Sequence, residues 1–175
     1  MKKILLLFTF LLSVTTIQAQ SENDNIDTVI LTEADKMGKA FVAAEYAVFA
    51  KFTHPTIVTM MGGEEKMISE IARSFDLIKE DGVSFEDISY GVPSEIIQYE
   101  GQLQCTLPQM IEMKVDGGTV TANAVLIAVS MDNGVNWYFI DPTGNDIATM
   151  RKIIPTLSPL LKIPVSVEPT YSKDK

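Results

Sequence analysis

The hydrophobic period of this chain changes at Val83. Before it, apolar residues recur every three or four positions, the spacing of one helix face. After it they alternate, the spacing of a half-buried strand. A chain patterned this way must place helices first and an antiparallel sheet second, which is an α+β arrangement.

The helical part is predicted to begin at Thr32-x-x-Asp35, where a Thr hydroxyl can cap the first turn and an early Asp suits the helix dipole. One helix is then expected to run to about Thr53. His54-Pro55 stops it, because the residue before a proline is pushed out of the α region. Projected at 100° per residue, Met37, Phe41, Val42, Val48, Phe49 and Phe52 share one arc. "TIVTMM", Thr56 to Met61, is apolar and β-branched and reads as a short strand. Gly62-Gly63 breaks it. A second helix spans Glu64 to Lys79 with an inner stripe of Met67, Ile68, Ile71, Phe75 and Ile78, and Asp81-Gly82 ends it.

The strand part is predicted as Phe85–Tyr90, Glu95–Tyr99, Gln102–Leu107, a stretch around Ile111, Met113 and Val115, Thr119–Ser130 and Asn136–Asp141. Glu100-Gly101 and Asp116-Gly117-Gly118 are hairpin signals. Pro108 predicts an interruption, either a bulge or an edge. "SMDNGVNWYFID" carries Ser130-x-Asp132-x-Gly134-x-x-Trp137, which resembles the Asp-box hairpin of sialidase propellers. A propeller needs several copies, and this chain has one. What remains is a turn: Asp132 can bond backbone amides, Gly134 can adopt a positive φ, and the next strand sends Trp137, Phe139 and Asp141 to one face. Asp146 is predicted to cap a last helix, Ile147–Ile154, before Pro155, Pro159 and Pro164 break the chain.

The N-terminus has the layout of a secretory signal peptide: Lys2 and Lys3, the apolar Ile4–Leu12, then small residues up to Ala19. Residues 1–19 are therefore set aside, and the chain is expected to be exported, to a periplasm or beyond the cell, with no membrane anchor. Residues 20–31 read as a flexible polar leader, 32–166 as a single domain with 141–166 as a proline-rich helical extension, and 167–175 as a frayed tail. Of 175 residues, 156 follow Ala19, enough to bury a core. The net charge of −9 becomes −11 without Lys2 and Lys3. So acidic a chain without a basic run is poorly suited to nucleic acid. The one cysteine, Cys105 in "LQCTL", cannot form an internal disulfide and reads as a buried thiol. One His and one Cys cannot supply a zinc ligand set, and no cofactor motif is present.

Glu45 falls near the middle of the apolar arc of the first helix. Such a carboxylate either reaches an edge or a Tyr hydroxyl, or lines a pocket with a raised pKa. An exposed Glu45, or one sealed in a dry core without a cavity, would sink both pocket readings, the ligand-holding one and the enzyme.

The long first helix ending in "FTHPTIV", the short strand after it, the helix "EEKMISEIARSFDLI" and the hairpins ending in "NWYFID" together resemble the nuclear transport factor 2-like superfamily, which includes polyketide-cyclase-like and ketosteroid-isomerase-like proteins. The resemblance covers about residues 32 to 141 and rests on element order and hydrophobic pattern. It implies a cone: a curved antiparallel sheet packed against N-terminal helices, with an interior pocket. Mapped by fold, the pocket lining is Phe41, Glu45, Tyr46, Phe49, His54, Gln109, Trp137 and Phe139. Three functions follow. One is a non-catalytic exported domain holding a small apolar or amphipathic ligand, or pairing as a homodimer through its sheet. Another is an isomerase, dehydratase or cyclase with Glu45 as general base and Tyr46 or Tyr90 as oxyanion donor. The third is a protein-binding module.

Overall fold

The computed structural model describes residues 14–165 and 167–174, and for 14–24 the backbone alone. The expected signal segment thus lies mostly outside the described residues. The fold is α+β: an open antiparallel sheet of six strands with helices packed against it.

Helix α1 spans Val14–Val42. Residues 20–31 are thus helical, not a loose leader. Ile26 and Ile30 extend the apolar stripe of Ala34 and Met37 backwards, and Ile30 is fully buried. Burial of that stripe outweighs the polar composition between. Thr32 is no cap: its hydroxyl donates to the Thr28 carbonyl at 2.7 Å, inside the helix.

The helix also ends earlier than Thr53. Glu45 N–H donates to Ala40 O at 2.8 Å and Ala44 N–H to Phe41 O at 3.0 Å. This is the Schellman closure, with Ala44 in the left-handed position at φ +57°. The chain turns there into α2 (Tyr46–Phe49) and a 3-10 turn (Ala50–Phe52). The expected strand Thr56–Met61 is instead helix α3, Pro55–Met60. Pro55 occupies the first helical position, and His54 Nδ1 accepts from Thr56 N–H at 3.2 Å. A proline start and a side-chain cap outweigh the β-branched content. Helix α4 (Glu64–Glu80) keeps its expected stripe, with Met67 fully buried.

The sheet is organised around two long strands, β3 (Gln102–Val115) and β4 (Gly118–Ser130), paired from Leu103–Ser130 to Val115–Gly118. Two short strands flank each. Beside β3 lie β1 (Ser84–Tyr90) and β2 (Ile97–Tyr99). Beside β4 lie β5 (Tyr138–Ile140) and β6 (Thr170–Lys173). Strand β6 replaces the expected frayed tail. It pairs with Gly118–Thr121, and Asp174 forms an ion pair with Lys114. Gly118 permits this pairing, because a Cβ there would collide with the Ser172 carbonyl oxygen and the Tyr171 ring.

Pro108 does not interrupt β3. Its carbonyl accepts from Gly91 N–H at 2.9 Å, on the side away from β4. The missing proline N–H faces that same side, so the β3–β4 ladder loses no bond. The bulge lies in β1, where the register shifts between Phe85 and Asp87.

Both sheet faces are covered at one end. Cys105, Leu107, Leu126, Ala128, Trp137 and Phe139 pack against Ile30, Ala34 and Met37 of α1. Ile127, Val129 and Ile140 pack on the other face against Met150, Ile154, Leu157 and Leu161. The latter group surrounds helix α5 (Ile147–Ile153), capped by Asp146, whose carboxylate accepts from Thr149 N–H at 2.8 Å. Double coverage explains why "VLIAVS" lacks alternation.

Gln104 ties the second covering layer to the sheet. It is fully buried; its Nε2 donates to Thr156 O at 2.8 Å and to Gln102 Oε1 at 2.9 Å, and its Oε1 accepts from Ser158 N–H at 2.7 Å. Asp132 closes the β4–β5 turn. Its carboxylate accepts from Asn136 N–H, Asn136 Nδ2 and Ser130 Oγ, while Ser130 Oγ accepts from Gly134 N–H at 2.8 Å. The Asn136 bonds, backbone first, hold the Asp132 carboxyl below the usual carboxylate range.

Two stability changes follow. Ala44→Gly removes the cost of a left-handed alanine, partly offset by added freedom in the unfolded chain, and is expected to stabilise by about 0.5–1 kcal/mol. A fall in the urea midpoint would contradict the closure. Gln104→Met keeps the volume but strands Thr156 O and Ser158 N–H, at a cost of about 3 kcal/mol. Thermal melting reads this directly, and an unchanged Tm would show that Gln104 holds nothing.

Candidate functional site

A cavity of about 320 Å³ lies between the helices and the sheet. Met37, Gly38 and Phe41 of α1 and Phe49 of α2 form one wall. Met67 and Ile71 of α4, with Ile57 and Met61, form the second. Ile88, Tyr90, Gln109, Ile111, Leu126 and Phe139 of the sheet form the third. Ile140, Asp141 and Thr143 lie at the end of β5 and in the turn after it. The Schellman break shapes this space, because it folds Phe49 back onto Phe41, with ring centroids 5.4 Å apart. Phe75 and Phe85 pack edge-on against Phe41 at 4.5 and 4.9 Å and brace it from behind.

Of the eight residues expected to line a pocket, Phe41, Phe49, Gln109 and Phe139 do so. Glu45 does not. It is exposed at the break after α1, and the single-arc projection failed because Ala44 reverses the chain before it. By the test set on the sequence, this exposure overturns both pocket readings as they were built on Glu45, the ligand-holding one and the enzyme; the cavity described here is a different one, lined by other residues. Tyr46 lies outside against Phe75, with ring centroids 5.2 Å apart, and burial, then Asp76, raises its pKa. Trp137 is buried in the core, and its Nε1 donates to Gly134 O at 3.1 Å. His54 is a buried cap, not part of the lining.

The polar groups of the cavity are few. Tyr90 and Gln109 face it from β1 and β3, with Gln109 Nε2 3.5 Å from the Tyr90 hydroxyl, a long and weak contact. Burial pushes the Tyr90 hydroxyl up to about 12, with Asp35 adding to the rise and the Gln109 contact opposing it. Tyr90 is thus a neutral O–H donor at any physiological pH. Asp141 is the one carboxylate in the lining; it is exposed, and its Oδ1 accepts from Thr143 N–H at 2.7 Å. Among the described residues, no Lys, Arg or His lines the cavity. Proton abstraction needs a base within hydrogen-bond reach of the substrate; Asp141 is the carboxylate this lining offers, and its Oδ1 accepts from Thr143 N–H.

Gly38 escaped the sequence reading. It sits inside α1, where a Cβ would lie 2.8 Å from the Tyr90 hydroxyl and 3.3 Å from Ile88 Cβ. It lets the helix approach β1 closely and keeps the tyrosine hydroxyl clear. An isolated glycine within a helical pattern was the available signal. Thr143 was equally unforeseen, with a β-branched side chain at φ +52°.

Among the described residues, no cluster of three or more His, Cys, Asp or Glu could hold a metal ion, and no helix is long and apolar enough to cross a membrane. No protein-family model matches the chain, and no curated protein matches it.

His54 carries a testable consequence. Because Nδ1 accepts from Thr56 N–H, the ring proton sits on Nε2, which is buried and has no partner among the described residues. Burial lowers the His54 pKa from its ordinary value. As pH falls below about 6.5 the unfolded chain binds a proton first. The stability supplied by the neutral ring is complete above that pH and is lost as pH falls towards the lower folded value. This is the sole histidine of the chain. Tm should therefore fall between pH 7 and 5 in the native protein and stay nearly flat in His54→Asn, which retains a capping acceptor. The same slope in both proteins would exclude His54 as its source.

Proposed function

We propose that this is an exported, non-catalytic domain that holds a small neutral ligand, apolar or amphipathic, inside the cavity. The observation that carries this reading is the 320 Å³ space lined by Met, Phe and Ile, with the Tyr90–Gln109 pair as its polar feature. Pockets of this size and character are the usual form of small-molecule sites. Tyr90 can donate its hydroxyl proton, and the Gln109 carboxamide can both donate and accept. The lack of a cation in the lining and the acidic charge of the chain favour a neutral ligand over an anion. The helix Glu64–Glu80 and the hairpins of the sheet support a nuclear transport factor 2-like cone as the frame for such a pocket, while the first helix ends at Val42 and the expected short strand is a helix. Export is supported by the Lys2–Ala19 pattern. The isomerase alternative loses its supporting residue with Glu45 in solvent.

A neutral solvatochromic dye, Nile red, tests this reading. It should bind the native protein with a dissociation constant in the micromolar range. Ile71→Trp, which fills the cavity from α4, should weaken it at least tenfold with the circular dichroism spectrum intact. Equal binding by both proteins, or no binding by the native one, overturns the reading.

A further inference from the structure

A second cavity, of about 450 Å³, adjoins the first. Gln109, Asp141 and Thr143 belong to the walls of both. The sheet explains why they can share walls. Strand β5 covers the outer edge of β4 at Ile127–Val129, and β6 covers it at Gly118–Thr121. Between them, Ala122–Leu126 has no strand partner on that side among the described residues. Elsewhere the sheet separates its two faces; here its edge is open. The second cavity occupies that opening, walled by Pro108, Asn123, Val125, Pro142 and Ile163.

The two spaces share a chemical layout. Each lining is mainly apolar, and the three residues the two share, Gln109, Asp141 and Thr143, are polar. Neither lining contains a Lys, Arg or His, and Asp141 belongs to both. A carboxylate or phosphate on the ligand would be desolvated beside Asp141 with no counter-charge. The backbone at the junction is itself strained, with Thr143 at φ +52° held by its bond to Asp141. Strain of this kind persists where the surroundings enforce it.

We propose that the two cavities form one binding site for an elongated neutral molecule with two apolar arms joined by an internal ester or amide. One arm occupies the space under α1 and α4, the other the opening at the β4 edge, and the linking carbonyl lies by Tyr90 and Gln109. This rests on the ligand-holding reading above and adds the shape and charge class of the ligand. Tyr90 O–H and Gln109 Nε2–H donate to the carbonyl; Gln109 Oε1 accepts from an amide N–H.

Two isomers separate this from a single-pocket site. N-hexylhexanamide and dodecanamide have the same atoms, but the first carries its amide mid-chain and the second at one end. Titration calorimetry should show N-hexylhexanamide binding at least tenfold tighter. Asn123→Trp fills the second cavity from an exposed position. It should remove that advantage. Dodecanoate should bind at least tenfold more weakly than dodecanamide. Equal binding of the two isomers, or an advantage that survives Asn123→Trp, overturns the two-cavity inference while Nile red binding upholds the simple pocket. Dodecanoate binding as tightly as dodecanamide overturns the charge class. Failure of both amides together with failure of Nile red overturns the pocket itself.

Discussion

The unbroken pairing of β3 with β4 is the constraint on which the rest of the molecule depends. It runs from Leu103–Ser130 to Val115–Gly118, and each of the other four strands attaches to one of these two. Side chains alternate along a strand, so a slip by one residue would exchange the two faces. Leu126 and Ala128 would leave the α1 side, and Ile127 and Val129 would leave the α5 side. The cavity hangs on the same register, because Gln109, Ile111 and Leu126 enter it from this pair. Pro108 is compatible with it because its absent N–H points towards Gly91, away from β4. The Asp116-Gly117 turn and the Asp132 network fix the two ends of β4, and neither depends on helix packing.

Much of this was legible in the sequence because it is written in local periods. The switch at Val83, the α4 stripe, and the turns at Gly101, Gly117 and Gly134 are each decided within a few residues. The misreadings share a cause. At Ala44 the left-handed position carries an alanine, so the usual glycine signal was absent and one helix was projected through a break. At Thr56–Met61 the side chains favour a strand, while the cap at His54 and the proline start decide for a helix. At residues 20–31 the polar composition concealed the spacing of Ile26, Ile30 and Ala34. Strand β6 depends on Gly118, about fifty residues earlier, and no local pattern in "TYSK" announces it.

The candidate site divides along the same line. Phe41, Gln109 and Phe139 lie on elements whose helix spacing or alternation was read correctly, whereas Phe49 was projected through the same break as Glu45 and reaches the cavity because the break folds it back onto Phe41. Glu45 depended on a phase carried across the break at Ala44, and the phase was lost there. Tyr90 was noticed for its hydroxyl, but the reason that hydroxyl remains clear is Gly38 on another element. The second cavity was not legible at all, since an unpaired stretch of strand edge is a property of how neighbours end, not of the strand itself.

The buried polar groups sort the molecule into parts that are finished and a part that is not. Gln104 and Gln109 lie on the same strand, five residues apart and on opposite faces. Gln104 has its carboxamide oxygen and nitrogen engaged, and two of its three partners lie in the covering layer. Gln109 makes a 3.5 Å contact to Tyr90 and otherwise borders open space. A glutamine whose hydrogen bonds are complete serves the fold, because any change leaves a partner unpaired. A glutamine with spare donors and acceptor beside a protonated tyrosine, in a mainly apolar cavity, retains its capacity for an outside partner. That contrast is independent of any resemblance to a known family, and it ties the proposed ligand to Gln109 and Tyr90 in particular.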